Sequence, residues 1–291
     1  MSVMEPTNLR RAADSQESGQ RRFFPAVRST WMRVISAMAL SGLLICQAAG
    51  ATEDAASNAG QSGVRLPAPE AGIPEFKAEY ALRRNNLHAA TLTRFLQCTD
   101  DVCRLESEGG TAGLLDLLLR GHIHEWTEFR LTADAQVIPQ GYYYRQRARG
   151  DNDEHVRLFF SPARDLDLLR VSNRGAEPWE QEVSSDTMDE LLSQFRLMMA
   201  VRAGEQHMRF PVVRGDGQVR DYEFEVAGVE SVETPAGTFE AVRVERLRGS
   251  ESRRTTTWFA PELDYLPVII RHERVGRETY TIELSSLPVA P

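Results

Sequence analysis

The sequence predicts a mainly β (α+β) fold, a curved antiparallel sheet or open β-barrel with one long amphipathic helix packed on it. Short runs in which apolar and polar side chains alternate recur from Phe76 to Leu284, with turn signals between them. One stretch breaks that rhythm: Met188, Leu191, Leu192, Phe195, Met198 and Met199 recur at three- and four-residue spacing, the period of a helix. With 291 residues, 42% of them hydrophobic and 8% aromatic, the chain has the material for a packed core.

Taken in order, the runs Phe76–Leu82 and Leu87–Gln97 flank Arg83-Arg84-Asn85-Asn86, a hairpin turn. Glu125–Thr132 alternates around Trp126 and Phe129, Gly141–Ala148 carries three consecutive tyrosines, and His155–Phe160 ends in an aromatic pair. The helix follows, with Ser185 or Asp186 able to cap it and Gly204 as a natural stop. Val219–Val226 places Tyr222, Phe224 and Val226 on one face, and a turn at Thr234–Gly237 leads into Phe239–Leu247. Arg254–Phe259, Leu266–His272 and Thr279–Leu284 complete the series. Pro261 and Pro267 bracket a pause in pairing, because proline lacks the N–H that a ladder needs.

Ahead of these elements lies an export signal, residues 1–51. Val34–Ile45 is uncharged and mostly apolar, too short to span a bilayer but the right length for a signal-peptide core. Arg28 and Arg33 precede it, and Ala49-Gly50-Ala51 supplies small residues for cleavage after Ala51. Met32 offers an alternative translation start. Cys46 invites a lipoprotein reading, but the preceding Ile45 is bulkier than a lipobox takes. Arg21-Arg22-Phe23-Phe24 partly resembles a twin-arginine signal, yet Pro25 interrupts it, so Sec export into a bacterial periplasm is favoured. Residues 52–75, rich in small residues and proline, read as a flexible leader, and residues 76–291 as a single β-rich domain with no integral membrane span.

Charge narrows the partners. After position 51 the chain holds 28 basic and 39 acidic residues, a net of −11. Such a surface repels phosphate backbones, which excludes nucleic acid as the expected partner. Cys98 and Cys103 remain once Cys46 leaves with the signal; in an oxidising compartment the pair reads as a disulfide at a hairpin end.

Two C-terminal segments carry a resemblance. Thr234-Pro235-Ala236-Gly237-Thr238-Phe239, followed by Ala241, Val242 and Val244, is one. Trp258-Phe259-Ala260-Pro261, followed by Leu263, Tyr265, Leu266, Pro267 and Val268, is the other. Together with Glu128-Phe129-Arg130, Pro139, Tyr142–Tyr144 and Asp189–Met199, they make the chain similar to the exported bacterial proteins of domain-of-unknown-function family 3108, over roughly residues 76 to 287. The resemblance implies a periplasmic β-rich fold somewhat like the open barrels of lipoprotein and lipid carriers. It brings no catalytic residues. The cysteine pair lies outside the shared pattern.

Candidate chemistry is sparse. His122 and His124 share a strand face with Glu128 further along it, a weak metal-ligand set with no fourth ligand in view. No Gly-x-Ser-x-Gly occurs, Gly215-Asp216-Gly217 reads as a hairpin turn rather than a phosphate loop, and no cofactor motif is present. The expectation is therefore a non-enzymatic binding or envelope-maintenance protein. Met188, Leu192, Phe195 and Met199 of the helix, with Phe129 and Tyr143 of the sheet, are the candidates for lining a cavity for an apolar or lipid-like ligand. The bland alternative for each is core packing. A protein-interaction scaffold in the envelope, using a strand edge, is the rival function, and a metal-dependent enzyme using His122, His124 and Glu128 stands behind both.

Overall fold

The computed structural model describes residues 73–112, 121–132, 136–147, 154–164, 167–174, 178–247, 253–274 and 278–291. The expected signal and nearly all of the leader lie outside them.

The first eight strands are β1 (Phe76–Arg84), β2 (Leu87–Thr99), β3 (Val102–Thr111), β4 (His122–Leu131), β5 (Val137–Arg147), β6 (Glu154–Pro162), β7 (Leu168–Asn173) and β8 (Trp179–Ser184). Helix α1 (Glu190–Arg202) follows. The remaining strands are β9 (His207–Val213), β10 (Val219–Thr234), β11 (Gly237–Arg246), β12 (Arg253–Ala260), β13 (Leu266–Arg274) and β14 (Thr279–Leu284). All fourteen form one antiparallel sheet in the order β8-β7-β6-β5-β4-β3-β2-β1-β14-β13-β12-β11-β10-β9. Strands adjacent in sequence are thus adjacent in space, in two meandering wings joined where β1 pairs β14, with Tyr80 opposite Leu284. The sheet curls into a nearly closed barrel.

Its two margins, β8 and β9, meet without a ladder between them. Instead, Trp179 Nε1 and Asn173 Nδ2 donate to the carbonyl of Gly215 (2.9 and 3.1 Å), and Gln181 Nε2 donates to that of Gly217 (2.6 Å). Both carbonyls belong to the β9–β10 turn, so Gly215-Asp216-Gly217 is the hairpin turn read from the sequence. Gly217 supplies its left-handed φ of +83°. The chain leading into α1 adds one parallel bridge, Met188 to Val212. Met188 N–H donates to the Pro211 carbonyl (3.0 Å) and Val213 N–H to that of Met188 (2.9 Å). Pro211 is tolerated because β9 is a margin strand whose missing donor breaks no central ladder.

The helix differs from its expected form in two ways. Ser185 and Asp186 do not cap it. The bridge at Met188 holds that segment extended, and Asp189 caps instead, its Oδ1 accepting from the N–H groups of Leu191 (3.0 Å) and Leu192 (2.8 Å). Nor does α1 have a solvent face: none of its residues is exposed, and Leu191 and Leu192 are fully buried. The sheet wraps it, so it is a plug inside a barrel rather than a lid on one face.

Hairpin geometry explains other boundaries. Asn85 and Asn86 both adopt left-handed φ (45° and 69°), a two-residue turn that lets β1 run on to Arg84 where the sequence suggested a four-residue turn. Cys98 and Cys103 are cross-strand partners joined by a disulfide beside the Asp100-Asp101 turn. Strands β10 and β11 are long and bend at the bulge beside Gly228 (φ +138°). Their tip, the Thr234–Gly237 turn, donates Ala236 N–H to the Leu284 carbonyl (3.2 Å) and buries Phe239.

An interior cleft beneath the helix

Much of the barrel interior is filled, as its density of buried side chains requires. Among the described residues, a cleft of about 480 Å³, counting its open mouth, lies between α1 and the wall built by β10 to β13. The helix contributes Ser193, Gln194 and Leu197. Opposite them stand Phe224, Phe259, Pro267 and Ile270, with Tyr222, Arg246, Thr255 and Thr257 as the polar complement. Apolar side chains thus dominate the wall, and a guanidinium stands among them.

Strand parity places that arginine. Val242, Val244 and Arg246 share one face of β11, so the face that buries two valines also turns Arg246 inward. Its guanidinium lies 3.6 Å from the centroid of the Tyr222 ring, a cation–π contact that fixes its orientation. Beside it, the Thr255 hydroxyl bonds His272 Nδ1 (3.0 Å), and burial, with Arg246 and Arg94 nearby, pushes the His272 imidazole down to about 4. Arg94 sits between Leu92 and Leu96 on β2, is only 8% exposed, and lies over the Tyr80 ring at 5.9 Å.

A second polar cluster holds the N-terminus of α1. Asp189, wholly buried, accepts from Thr127 Oγ1 (2.7 Å) as well as from the helix. Burial pushes its carboxyl up to about 7 against those donors, and Glu125 adds repulsion. Glu190 rises to about 7 as well, mainly by burial, opposed by Arg214 and by the Tyr222 hydroxyl that donates to it (3.2 Å). Glu125, bonded by the Tyr142 hydroxyl (2.8 Å), is also raised by burial. These carboxyls are structural: they fasten β4, α1 and β10 together.

The residues singled out from sequence fall elsewhere. None of the six cavity candidates lines the cleft. Phe129 and Phe195 pack ring to ring at 4.8 Å, Leu192 and Met188 are buried in the core, and Met199 packs against its edge. Tyr143 is on the opposite face of the sheet, stacked on Trp126 at 5.8 Å, because alternation along β5 turns Tyr142 and Tyr144 inward. The helical face that borders open space is Ser193-Gln194-Leu197, one step round from the methionines. His122 and His124 do share a face, but each meets its own carboxylate, Glu108 (3.1 Å) and Glu106 (2.7 Å), while Glu128 approaches Arg104 (3.9 Å). Among the described residues no three His, Cys, Asp or Glu side chains gather as a metal-ligand set.

What sequence reasoning missed is the inward polar set. Continuing the period of two past the last hydrophobic residue finds Arg246 after Val244, His272 after Ile270, and Glu125 before Thr127 and Phe129.

Among the described residues no helix is long and apolar enough to cross a membrane. No curated protein matches the sequence. Among solved structures, a β-barrel-like protein of domain of unknown function DUF1849 from Brucella abortus is similar with a TM-score of 0.50 and 10% identity. The match covers 73% of this chain and 96% of that one, and establishes kinship of fold. A "putative lipoprotein" from Parabacteroides distasonis ATCC 8503 aligns at a TM-score of 0.29 and 9% identity, over 74% of this chain and 95% of the other. With the two C-terminal motifs placed at the bent hairpin tip and the β12–β13 turn, and a family profile matching residues 75–284, the chain belongs to the family described as "Protein of unknown function (DUF3108)".

Proposed function

We propose that the protein is a non-catalytic binding protein of the bacterial cell envelope that takes an apolar, lipid-like ligand into the cleft beneath α1. The observation that carries this reading is the cleft itself, open at its mouth and walled by Leu197, Phe224, Phe259, Pro267 and Ile270. Small-molecule sites are concave, mostly apolar and furnished with a few polar groups, and this one has that composition. The export signal read at residues 1–51 supports the compartment. The rival scaffold reading has less to stand on, since both sheet margins are tied to one another by the bonds at Gly215 and Gly217.

The test uses the mature chain, stripped of bound lipid and titrated with N-phenyl-1-naphthylamine, a neutral dye that brightens in apolar surroundings. Saturable binding is expected, weakened at least about tenfold by Leu197→Trp, which fills the cleft without adding charge. Dye binding untouched by Leu197→Trp ends the reading, and so does an absence of saturable binding.

A further inference from the structure

The cleft is not evenly apolar, and its one charged lining residue is arranged unlike the surface arginines. Arg83, Arg104, Arg170, Arg209 and Arg243 each meet a carboxylate across or along the sheet. Arg246 meets none among the described residues. Its partner is the face of Tyr222, and its Nε is buried with no hydrogen-bond acceptor. An Nε–H withdrawn from water without an acceptor costs free energy, which an incoming anion would recover. Arg94 reinforces the sign of the region: more than nine-tenths buried and stacked near Tyr80, it too has an Nε without an acceptor, and the Tyr80 hydroxyl beside it is unbonded.

Of the interior acids, Glu125 is within electrostatic reach of Arg94 and is bonded by Tyr142, whereas none is ion-paired with Arg246 among the described residues. Glu190 is bonded by Tyr222 and lies 4.0 Å from Arg214, while Asp189 is spent on the helix cap and Thr127. His272, the remaining basic side chain of this end, faces Thr255. A ligand lying along Leu197, Phe224 and Ile270 therefore meets one cationic side chain, Arg246, among apolar, hydroxyl and amide groups.

We infer that the ligand is an anionic amphiphile, with an apolar tail and a carboxylate or phosphate head held by Arg246. This rests on the binding reading above and adds the chemistry of the head. The planar fork of arginine pairs with either oxyanion through two N–H groups, and Tyr222 holds the fork in place.

Four probes of one chain length decide the matter by calorimetry on the delipidated mature chain: dodecanoate, dodecyl phosphate, dodecanol and dodecylammonium. In the wild type the anions are expected to bind about 10- to 100-fold more tightly than the alcohol, the range of a charge-assisted hydrogen bond, and the ammonium more weakly still. Arg246→Gln should lower anion affinity to that of dodecanol and leave dodecanol unchanged. Tighter binding of dodecyl phosphate than dodecanoate assigns a phosphate head, and the reverse a carboxylate. Equal binding of anion, alcohol and ammonium by the wild type overturns the inference while leaving the apolar cleft in use. Binding of none of the four overturns the binding reading too. The comparison of heads needs no variant, so it stands even if Arg246→Gln does not fold.

Discussion

At the scale of single residues, the interior is defined by charges that the fold has had to accommodate, and Asp189 shows how. Its carboxyl titrates near 3.8 in an unfolded chain and near 7 in the barrel, so the folded state keeps a proton that the unfolded state releases. Its contribution to stability is complete below about pH 3.8 and is lost as pH rises through 7. Glu190 acts in the same direction from 4.5. His272 acts in the opposite one: its contribution is present above 6.5 and lost as pH falls through 4. Above pH 6.5 the carboxyls act alone, and the melting temperature is expected to fall from pH 6.5 to pH 8. Asp189→Asn keeps an oxygen for the Leu191 and Leu192 N–H groups but has no proton to lose. Its thermal stability should depend less steeply on pH, by up to about 1.4 kcal/mol per unit. A profile parallel to wild type would refute the protonated carboxyl. None of this was legible from residue type alone, because an acid becomes a buried acid only when sheet curvature brings β4 against the start of α1. The inward direction of Arg246 and Glu125, by contrast, was encoded in the two-residue period and needed only to be followed through a polar residue.

Among the elements, those with uniform alternation were readable and those with interruptions were not. β1, β2 and β10 through β14 follow from their patterns. β3 escaped notice because Gly109 and Gly110 interrupt its apolar face. Gly109 is required there: a Cβ would stand 2.7 Å from the Thr91 carbonyl oxygen. β7 and β8 are six residues each, too short for alternation to announce itself, and β9 contains a proline. The helix was evident from its spacing, but its full burial was not, since the three- and four-residue period reports one apolar face and says nothing of a wall behind the other. The bent β10–β11 hairpin is where family motif and mechanics coincide. Gly237 at its tip has φ +141°, a conformation open to glycine and strained for any other residue. Gly237→Ala is expected to cost about 1–3 kcal/mol in urea unfolding; a change below 0.5 kcal/mol would show the turn to be adaptable.

For the whole molecule, the decisive feature is a barrel whose seam is fastened by side chains and the single backbone bridge at Met188 rather than by a ladder. Ladder hydrogen bonds hold every other strand junction, whereas β7 and β8 reach the β9–β10 turn through Asn173, Trp179 and Gln181. Trp179→Phe keeps the ring and removes the donor to Gly215. Amide hydrogen exchange should then quicken in β7 and β8 and remain at wild-type rates in β1 to β4. Uniform acceleration would mean that the barrel opens as one unit, and no acceleration that the seam is held by packing. The pairing of β1 with β14 has a consequence for the order of assembly. A growing chain can fold each meander hairpin by hairpin, which are contacts of short sequence separation. Yet one flank of β1 stays an open edge until the last strand arrives, and the tail then adds Val289 against Lys77. The first strand to emerge is therefore the last to be satisfied. A chain that stops short of Thr279 is two ribbons with an adhesive border, not a smaller barrel.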